Sequence, residues 1–244
     1  MPVKSKVAII SGSTQGIGKS IAERFVDDGW SVVQNSRNPI LDSELVGAKH
    51  FVADVTNLVD CKLLVDSVIN EFGRIDALIC NAGSGAELGA EFSEIERWDH
   101  FVSINLNSAS YLVSAALDAL KDSKGSVTAI SSICGIVSVK GAPIEYSTAK
   151  AALNHYIKKL AIKHGPDNVR FNVVAPGNVL FPGSTWDRKL KVDGPSVIAY
   201  VAENVPMKGF VTPQEVAAAV AFFSSQESNS TTGAVLVIDR GQSL

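Results

Sequence analysis

Three groups of residues in this chain have types and spacings suited to chemistry. The first is Ser11-Gly-Ser-Thr-Gln-Gly-Ile-Gly18, where Gly12, Gly16 and Gly18 form a G-x-x-x-G-x-G loop after a short apolar run. Glycines let a backbone come close to a pyrophosphate. A helix starting at such a loop adds free N–H groups and the positive end of its dipole. The spacing departs from the common G-x-G-x-x-G fingerprint, so on these residues alone a plain strand-to-helix turn explains the loop equally well. The second group is Tyr146-Ser-Thr-Ala-Lys150. Tyr and Lys at i and i+4 share one helix face. A free phenol has a pKa of about 10, too high for easy proton exchange at neutrality. A nearby ammonium favours phenolate, so the pair could act as an acid–base couple with a lowered phenol pKa. The bland alternative is an ordinary helix-surface pair. Third, Ser131 and Ser132 directly follow the apolar run Ser126-Val-Thr-Ala-Ile130.

These groups need elements to hold them. Short apolar runs predict strands at Val7–Ile10, Ser31–Asn35, Lys49–Ala53, Asp76–Cys80, Ser126–Ile130, Arg170–Ala175 and Ala234–Ile238. Helical spacing falls on Ile17 to Phe25, with Gly29 as C-cap, and on Asn57–Phe72, Ser93–Leu120, Tyr146–His164 and Pro213–Phe223. Seven near-continuous apolar strands separated by helices predict an α/β fold: a Rossmann-like, doubly wound parallel sheet with helices on both faces. No linker divides the chain, so residues 1–244 are expected to form one domain. The stretch 177–208 reads as irregular, and an irregular stretch of that length suggests a substrate lid. Ligands of open parallel sheets gather outside the carboxyl ends of the strands. The glycine loop, Asn81-Ala-Gly83, Ser132 and Pro176-Gly177 all follow strand ends, and so converge on one edge.

Composition narrows the function classes. Apolar residues make up 46% and charged residues 19% of the 244, which excludes a disordered chain. A net charge of −3 argues against nucleic-acid binding, because no basic excess exists to neutralise phosphates. Cys61, Cys80 and Cys134 are odd in number and lack a C-x-x-C pair, which points to a reducing compartment and a cytoplasmic protein. The opening Met1 to Lys6 leads into only four apolar residues, too few for a secretory signal, and no run is long enough to span a membrane. His50, His100, His155 and His164 are scattered, so no catalytic metal is expected.

In order and spacing together, Gly12/Gly16/Gly18, Asp54-Val55, Asn81-Ala-Gly83, Asn105, Ser132, Tyr146-x-x-x-Lys150, Pro176-Gly177 and Thr232-Gly233 resemble the short-chain dehydrogenase/reductase family over nearly the whole chain. The resemblance implies an oxidoreductase that uses a nicotinamide cofactor to interconvert a carbonyl and a secondary alcohol. Tyr146 would be the acid in reduction and the base in oxidation. Ser132 would bond the substrate oxygen; it is preferred to Ser131 because it fits a Ser-x-x-Gly pattern ending at Gly135. Lys150 would lower the Tyr146 pKa and hold the nicotinamide ribose, and Asn105 would position a water leading to Lys150. Gly12, Ser13, Gln15, Gly16, Ile17 and Gly18 would receive the cofactor's diphosphate side. Asp54 and Val55 would contact adenine, and Asn81, Ala82 and Gly83 the adenosine ribose side. Pro176, Gly177 and Val179 would line the nicotinamide. Long helices Ser93–Leu120 and Tyr146–His164 pair across subunits in many relatives, which implies a homotetramer. A non-catalytic dinucleotide-binding scaffold is the alternative, disfavoured because Ser132, Tyr146 and Lys150 are all kept. Three positions depart from the pattern: Cys80 for an Asn, Phe181 for a Thr that bonds the nicotinamide amide, and Arg240 for a Gly. Ser184 or Thr185 could replace that Thr.

Cofactor choice rests on Val33-Gln-Asn-Ser36-Arg37. An NAD site needs a carboxylate at the end of this strand for the ribose 2′-OH. Ser36 stands there instead and Arg37 follows, so NADP(H) is expected over NAD(H), although Gln15 supplies no second cation. Selectivity for the substrate falls to Ser84–Phe92, Ile136–Glu145 and 177–208. A 3-oxoacyl thioester is the generic expectation, with sugars, steroids and small ketones close behind. Lys140, Arg188, Lys189 and Lys191 fit an anionic substrate and a solvated surface equally. Trp186 is balanced between substrate contact and loop packing, and Cys134 reads as inert packing.

Overall fold

The computed structural model describes residues 5–39, 45–86 and 88–244. The opening Met1–Lys4 and Glu87 of the 84–92 stretch lie outside these residues. The chain runs β1 (Val7–Ile10), α1 (Gly16–Asp27), β2 (Ser31–Ser36), β3 (Ala48–Val52), α2 (Leu58–Phe72), β4 (Ala77–Cys80), α3 (Glu94–Val102), α4 (Ser108–Ser123), β5 (Ser126–Ile130), α5 (Ile144–His164), β6 (Arg170–Pro176), α6 (Thr185–Asn204), α7 (Pro213–Ser224) and β7 (Val235–Ile238). The seven strands form one sheet in the order β3-β2-β1-β4-β5-β6-β7, and every pairing is parallel. The Rossmann-like expectation holds.

The apolar runs of β1, β2, β4, β5 and β6 are buried because both sheet faces are covered there. Val7 and Ile9 pack with Leu64, Val68, Leu112 and Ile157 on one face. Ala8 and Ile10 pack with Ile21, Phe25, Val216 and Val220 on the other. A strand enclosed this way has no polar side, which is why it reads as a continuous run. After β1 the chain winds outward to β3 and then crosses back to β4. The strand order therefore reverses between β1 and β4, and a crevice opens at their carboxyl ends. At the opposite edge Asp76 precedes β4. Its carboxylate accepts Val7 N at 2.8 Å and both arms of the Arg74 guanidinium, at 2.8 and 2.6 Å, which ties the starts of β1 and β4 together.

Two expected elements differ. The Ser93–Leu120 helix begins with a capping box, Ser93 and Glu96 bonding reciprocally, and its helical path runs on to Ser123. It is interrupted by a π turn over Ser103–Asn107, closed by Ser108 N–H to Ser103 C=O. A single wide turn leaves the apolar spacing on both sides helical, so periodicity passes over it. The 177–208 stretch is not irregular throughout, since α6 occupies most of it. Ser184 caps α6 by accepting Asp187 N. Asp193, at φ −148° and ψ 77°, breaks it, and the Asp193 carboxylate accepts Ser196 N at 3.2 Å to start the second half. The interruption at Asp193-Gly-Pro195 hides the helix from a search for one unbroken period, while Pro195 sits where a new helical turn can do without its N–H. Among the described residues, no helix is long and apolar enough to cross a membrane.

Candidate active site

The glycine loop is fastened from three sides. The Ser13 hydroxyl donates to Ile10 C=O at 2.6 Å and accepts Asn35 N at 3.0 Å, and Gln34 Nε2 donates to Ser13 C=O at 2.7 Å. Ser13 thus turns its side chain inward, away from any ligand, and fixes the loop on β2. Asn81 Nδ2 donates to the carbonyls of Ser11 and Gly12, both at 2.9 Å. The Ser11 hydroxyl accepts Asn81 N and Ala82 N, both at 3.0 Å. Gly12 and Gly16 hold φ +60° and +54°, the left-handed region that costs other residues about 1–2 kcal/mol. A Cβ on Gly18 would lie 2.4 Å from Gly12 O and 2.5 Å from Asn81 Nδ2, so the loop closes only around glycine. Gln15, the N-cap of α1, makes no side-chain cap bond. The first-turn N–H groups of α1 therefore keep their capacity for an anion, and the loop fits a dinucleotide's diphosphate. Phe181, the residue in place of the family's Thr, packs its ring on this loop: a Cβ on Gly16 would lie 2.5 Å from it.

The strand-end segment 81–86 runs between the π turn and α5. The Asn105 side chain is buried, accepting Ser84 N at 3.1 Å and donating to the carbonyls of Ser84 and Phe101, both at 3.0 Å. The wide turn carries this amide to the segment it pins. A Cβ on Gly83 would lie 2.8 Å from Asn105 Oδ1 and 3.0 Å from Lys150 Nζ, and one on Gly85 would lie 3.2 Å from the Tyr146 ring. Small residues here let Asn105, Lys150 and Tyr146 crowd around one loop. Lys150 is buried and donates to Ile130 C=O at 2.8 Å, with Nζ 5.9 Å from the Tyr146 ring centroid. Ser131 bonds back to the Lys150 carbonyl at 3.3 Å, whereas Ser132 accepts Cys134 N at 3.2 Å and interacts with the Tyr146 phenol.

Electrostatics at this pair depart from the sequence expectation. Burial pushes the Tyr146 phenol up to about 12, with the Ser132 hydrogen bond pulling the other way. Burial also pulls Lys150 down to about 8. The expected lowering of Tyr146 by Lys150 is absent, because desolvation of a buried phenol outweighs an ammonium that is itself turned toward Ile130 C=O.

A cavity of about 980 Å³ opens over these groups, lined by Ser132, Cys134, Tyr146, Gly177, Val179 and Trp186 among others. Ile17 of the glycine loop and Phe181 also line it. Val179 bridges to Val211 through its neighbours, Leu180 N to Val211 O and Val211 N to Asn178 O, which turns Val179's own N–H the opposite way. Asn178 is a site residue that the sequence motifs do not mark. It lines the cavity, it is buried, and its Nδ2 has no partner among the described residues. Its place directly after Pro176-Gly177 is the signal that could have found it. Cys134 and Trp186 face the same space.

The remaining sites lie outside this cavity, around the ends of β2 and β3. Ser36 donates to Asn38 C=O at 2.6 Å and contacts His50 Nε2 at 2.8 Å, and Arg37 beside it is exposed. Asp54 accepts Thr56 N at 2.9 Å and its hydroxyl at 2.7 Å. The Val55 side chain lies in the core. At the C-terminal end Arg240 takes φ +58°, which accounts for the frequent glycine there, and pairs with Glu215 at 2.6 Å.

Comparison with known proteins agrees with this layout. The family model described as Enoyl-(Acyl carrier protein) reductase matches residues 12–243. Glucose 1-dehydrogenase 2 of Bacillus subtilis (strain 168) is 30% identical over 251 residues, covering 98% of this chain and 95% of its own. The 3-oxoacyl-[acyl-carrier-protein] reductase FabG of Thermotoga maritima is 29% identical over 250 residues, covering 99% of both. A crystal structure of a short chain dehydrogenase/reductase family oxidoreductase from Burkholderia thailandensis superposes with a TM-score of 0.86 at 30% identity, covering 98% of this chain and 93% of its own. With these matches spanning the sheet, the glycine loop and the Tyr146–Lys150 helix alike, the chain belongs to the short-chain dehydrogenase/reductase family of nicotinamide-dependent oxidoreductases.

Proposed function

We propose that this protein is an NADP(H)-preferring carbonyl reductase in which Tyr146 is the proton donor. The observation that carries the reading is the convergence of Ser132, Tyr146 and Val179 on one cavity whose rim includes the glycine loop's Ile17. The bound dinucleotide supplies hydride to the carbonyl carbon. Tyr146 gives its phenolic proton to the carbonyl oxygen, and Ser132 donates a hydrogen bond to that oxygen as charge develops. A phenol held up at about 12 stays protonated throughout the neutral range, so its proton is present for the carbonyl oxygen, although the high value makes it a weak donor. Asn105 acts by holding Ser84, and through it the loop that separates Tyr146 from the π turn. Gly12, Gln15, Gly16, Ile17 and Gly18 receive the diphosphate side, Asn81 to Gly83 the adenosine ribose side, and Pro176, Gly177 and Val179 the nicotinamide. Asp54 and the Val55 backbone meet adenine.

The cofactor preference follows from what ends β2. No carboxylate stands at Ser36 to repel a 2′-phosphate, and the exposed Arg37 can fork onto one. A charged hydrogen bond contributes about 1.5–3 kcal/mol, roughly tenfold or more in affinity. Relatives named for sugars and for 3-oxoacyl thioesters keep both substrate classes in view. Exposed apolar side chains at Ile95, Trp98, Ile144 and Ile162 on α3 and α5, and the half-exposed strand β7, support a homotetramer built on two faces.

One set of assays tests the reading. NADPH oxidation against a ketone panel should exceed NADH oxidation, Arg37→Ala should weaken NADPH binding, and Ser36→Asp should favour NADH. Tyr146→Phe should lower kcat by about 10²–10⁴ while NADPH still binds. A Phe variant keeping more than about a tenth of the rate removes Tyr146 from the chemistry.

A further inference from the structure

We infer that the substrate carries a phosphate or carboxylate remote from its reacting carbonyl, held at the cavity mouth by Lys140, Arg188 and Lys189; the inference rests on the reductase reading above. Lys140 comes from the segment between β5 and α5, and Arg188 and Lys189 from α6, so the three cations enter one cavity from two separate walls. Among the described residues, none of the three lies within ion-pair distance of a carboxylate. Lys191, on the same helix but outside the lining, is paired with Asp187 at 2.8 Å.

The one acid among the described lining residues is Asp193, and its carboxylate is engaged by Ser196 N at 3.2 Å. The lining therefore carries 3 − 1 = +2, whereas the whole chain carries −3. A cavity so opposed to the net charge of its protein favours a negative ligand and raises its local concentration.

The walls add shape to this charge. Lys189 Nζ lies 4.9 Å from the Trp186 ring centroid, and Trp186 stacks on Tyr200 at 5.7 Å and 16°. The shelf holds the ammonium over an aromatic face. Val139, Val192 and Val197 add apolar surface to the same lining. A ligand matching this lining has its carbonyl at Ser132 and Tyr146, an apolar or ring-shaped part, and an anionic end. Two sources share that chemistry: the phosphopantetheine arm of an acyl thioester, and an acidic sugar.

Matched substrates decide it. One pair is the acetoacetyl thioester of 4′-phosphopantetheine against that of pantetheine, reduced with NADPH. The other is glucuronate against glucose, oxidised with NADP⁺. We expect the anionic member of one pair to lead in kcat/KM by about tenfold or more, a difference of about 1.4 kcal/mol. That pair names the source. The lead should shrink with added salt and collapse in a Lys140→Met, Arg188→Met, Lys189→Met triple variant, but persist in Lys191→Met. Neutral members equal to or better than anionic ones in both pairs overturn the inference. So does a triple variant that raises KM for NADPH with both members alike and leaves their ratio intact, since the cations would then serve the cofactor. Reduction of 2,3-butanedione by NADPH tests the reductase reading by itself. Where neither pair is turned over, quenching of tryptophan fluorescence by 4′-phosphopantetheine against pantetheine decides: tighter binding of the phosphate supports the inference, and equal binding sinks it.

Discussion

Replacing Lys150 by Met should lower cofactor affinity and activity and yet make the protein more stable at neutral pH. Lys150 is 4% exposed, and burial pulls its pKa from 10.5 to about 8. A tenfold change in proton affinity corresponds to about 1.4 kcal/mol, so keeping the lysine charged at pH 7 costs the folded state about 3 kcal/mol relative to the unfolded chain. Met is of similar length and uncharged. It gives up the donor to Ile130 C=O, a loss of about 1 kcal/mol. The net gain is about 2 kcal/mol, or a Tm rise of roughly 4–8 °C for a chain of this size.

The sign with pH follows from proton counts. Between about 8 and 10.5 the unfolded chain holds more protons at this site than the folded one, so wild-type stability gains from Lys150 as pH rises there. The variant lacks that gain, and its advantage should fade by pH 10.5. Cys61, Cys80, Tyr146 and Tyr156, all raised to about 12 by burial, lower stability at alkaline pH, because the folded chain keeps protons the unfolded one has lost. Both proteins share these four groups, and of them Cys80 is held down by the Lys150 charge, so the comparison reads Lys150 together with its effect on Cys80. Urea unfolding of both at one protein concentration, at neutral and alkaline pH, measures the difference. A variant no more stable than wild type at neutral pH, or one whose advantage does not change with pH, refutes the reasoning.

Two further substitutions test the frame around the site. Gly18→Ala should weaken NADPH binding at least about tenfold and lower stability by about 1–3 kcal/mol, because its Cβ meets the Gly12 carbonyl at 2.4 Å and backbone must shift; fluorescence titration and thermal unfolding read the two effects. Asp76→Ala should cost about 2 kcal/mol in urea unfolding, since it strands Val7 N and releases the Arg74 fork that joins β1 to β4. A loss below about 0.5 kcal/mol would mean that water replaces the carboxylate at no cost.

Residues whose position follows from local pattern were legible in the sequence. Val7–Ile10 reads as a strand because both faces of β1 are buried, and Tyr146 and Lys150 share a helix face because they are four apart. The convergence of the glycine loop, Asn81, Ser132 and Gly177 on one edge followed from parallel strands alone. Features created by interruption or by depth were not legible. The break at Asp193 hid α6, and the π turn at Asn105 left no mark in the apolar spacing. Phe181 could be recognised as a departure, but that its ring lies on Gly16 depends on how the segment after β6 folds back over the loop after β1. The same holds for Tyr146 and Lys150. Spacing brings the phenol and the ammonium to one face and suggests that the charge lowers the phenol. Burial then drives both toward their neutral forms, the phenol upward and the ammonium downward. Depth is a property of the packed sheet and helices around a residue, so the residues of a proton donor can be read from a sequence before its protonation state can.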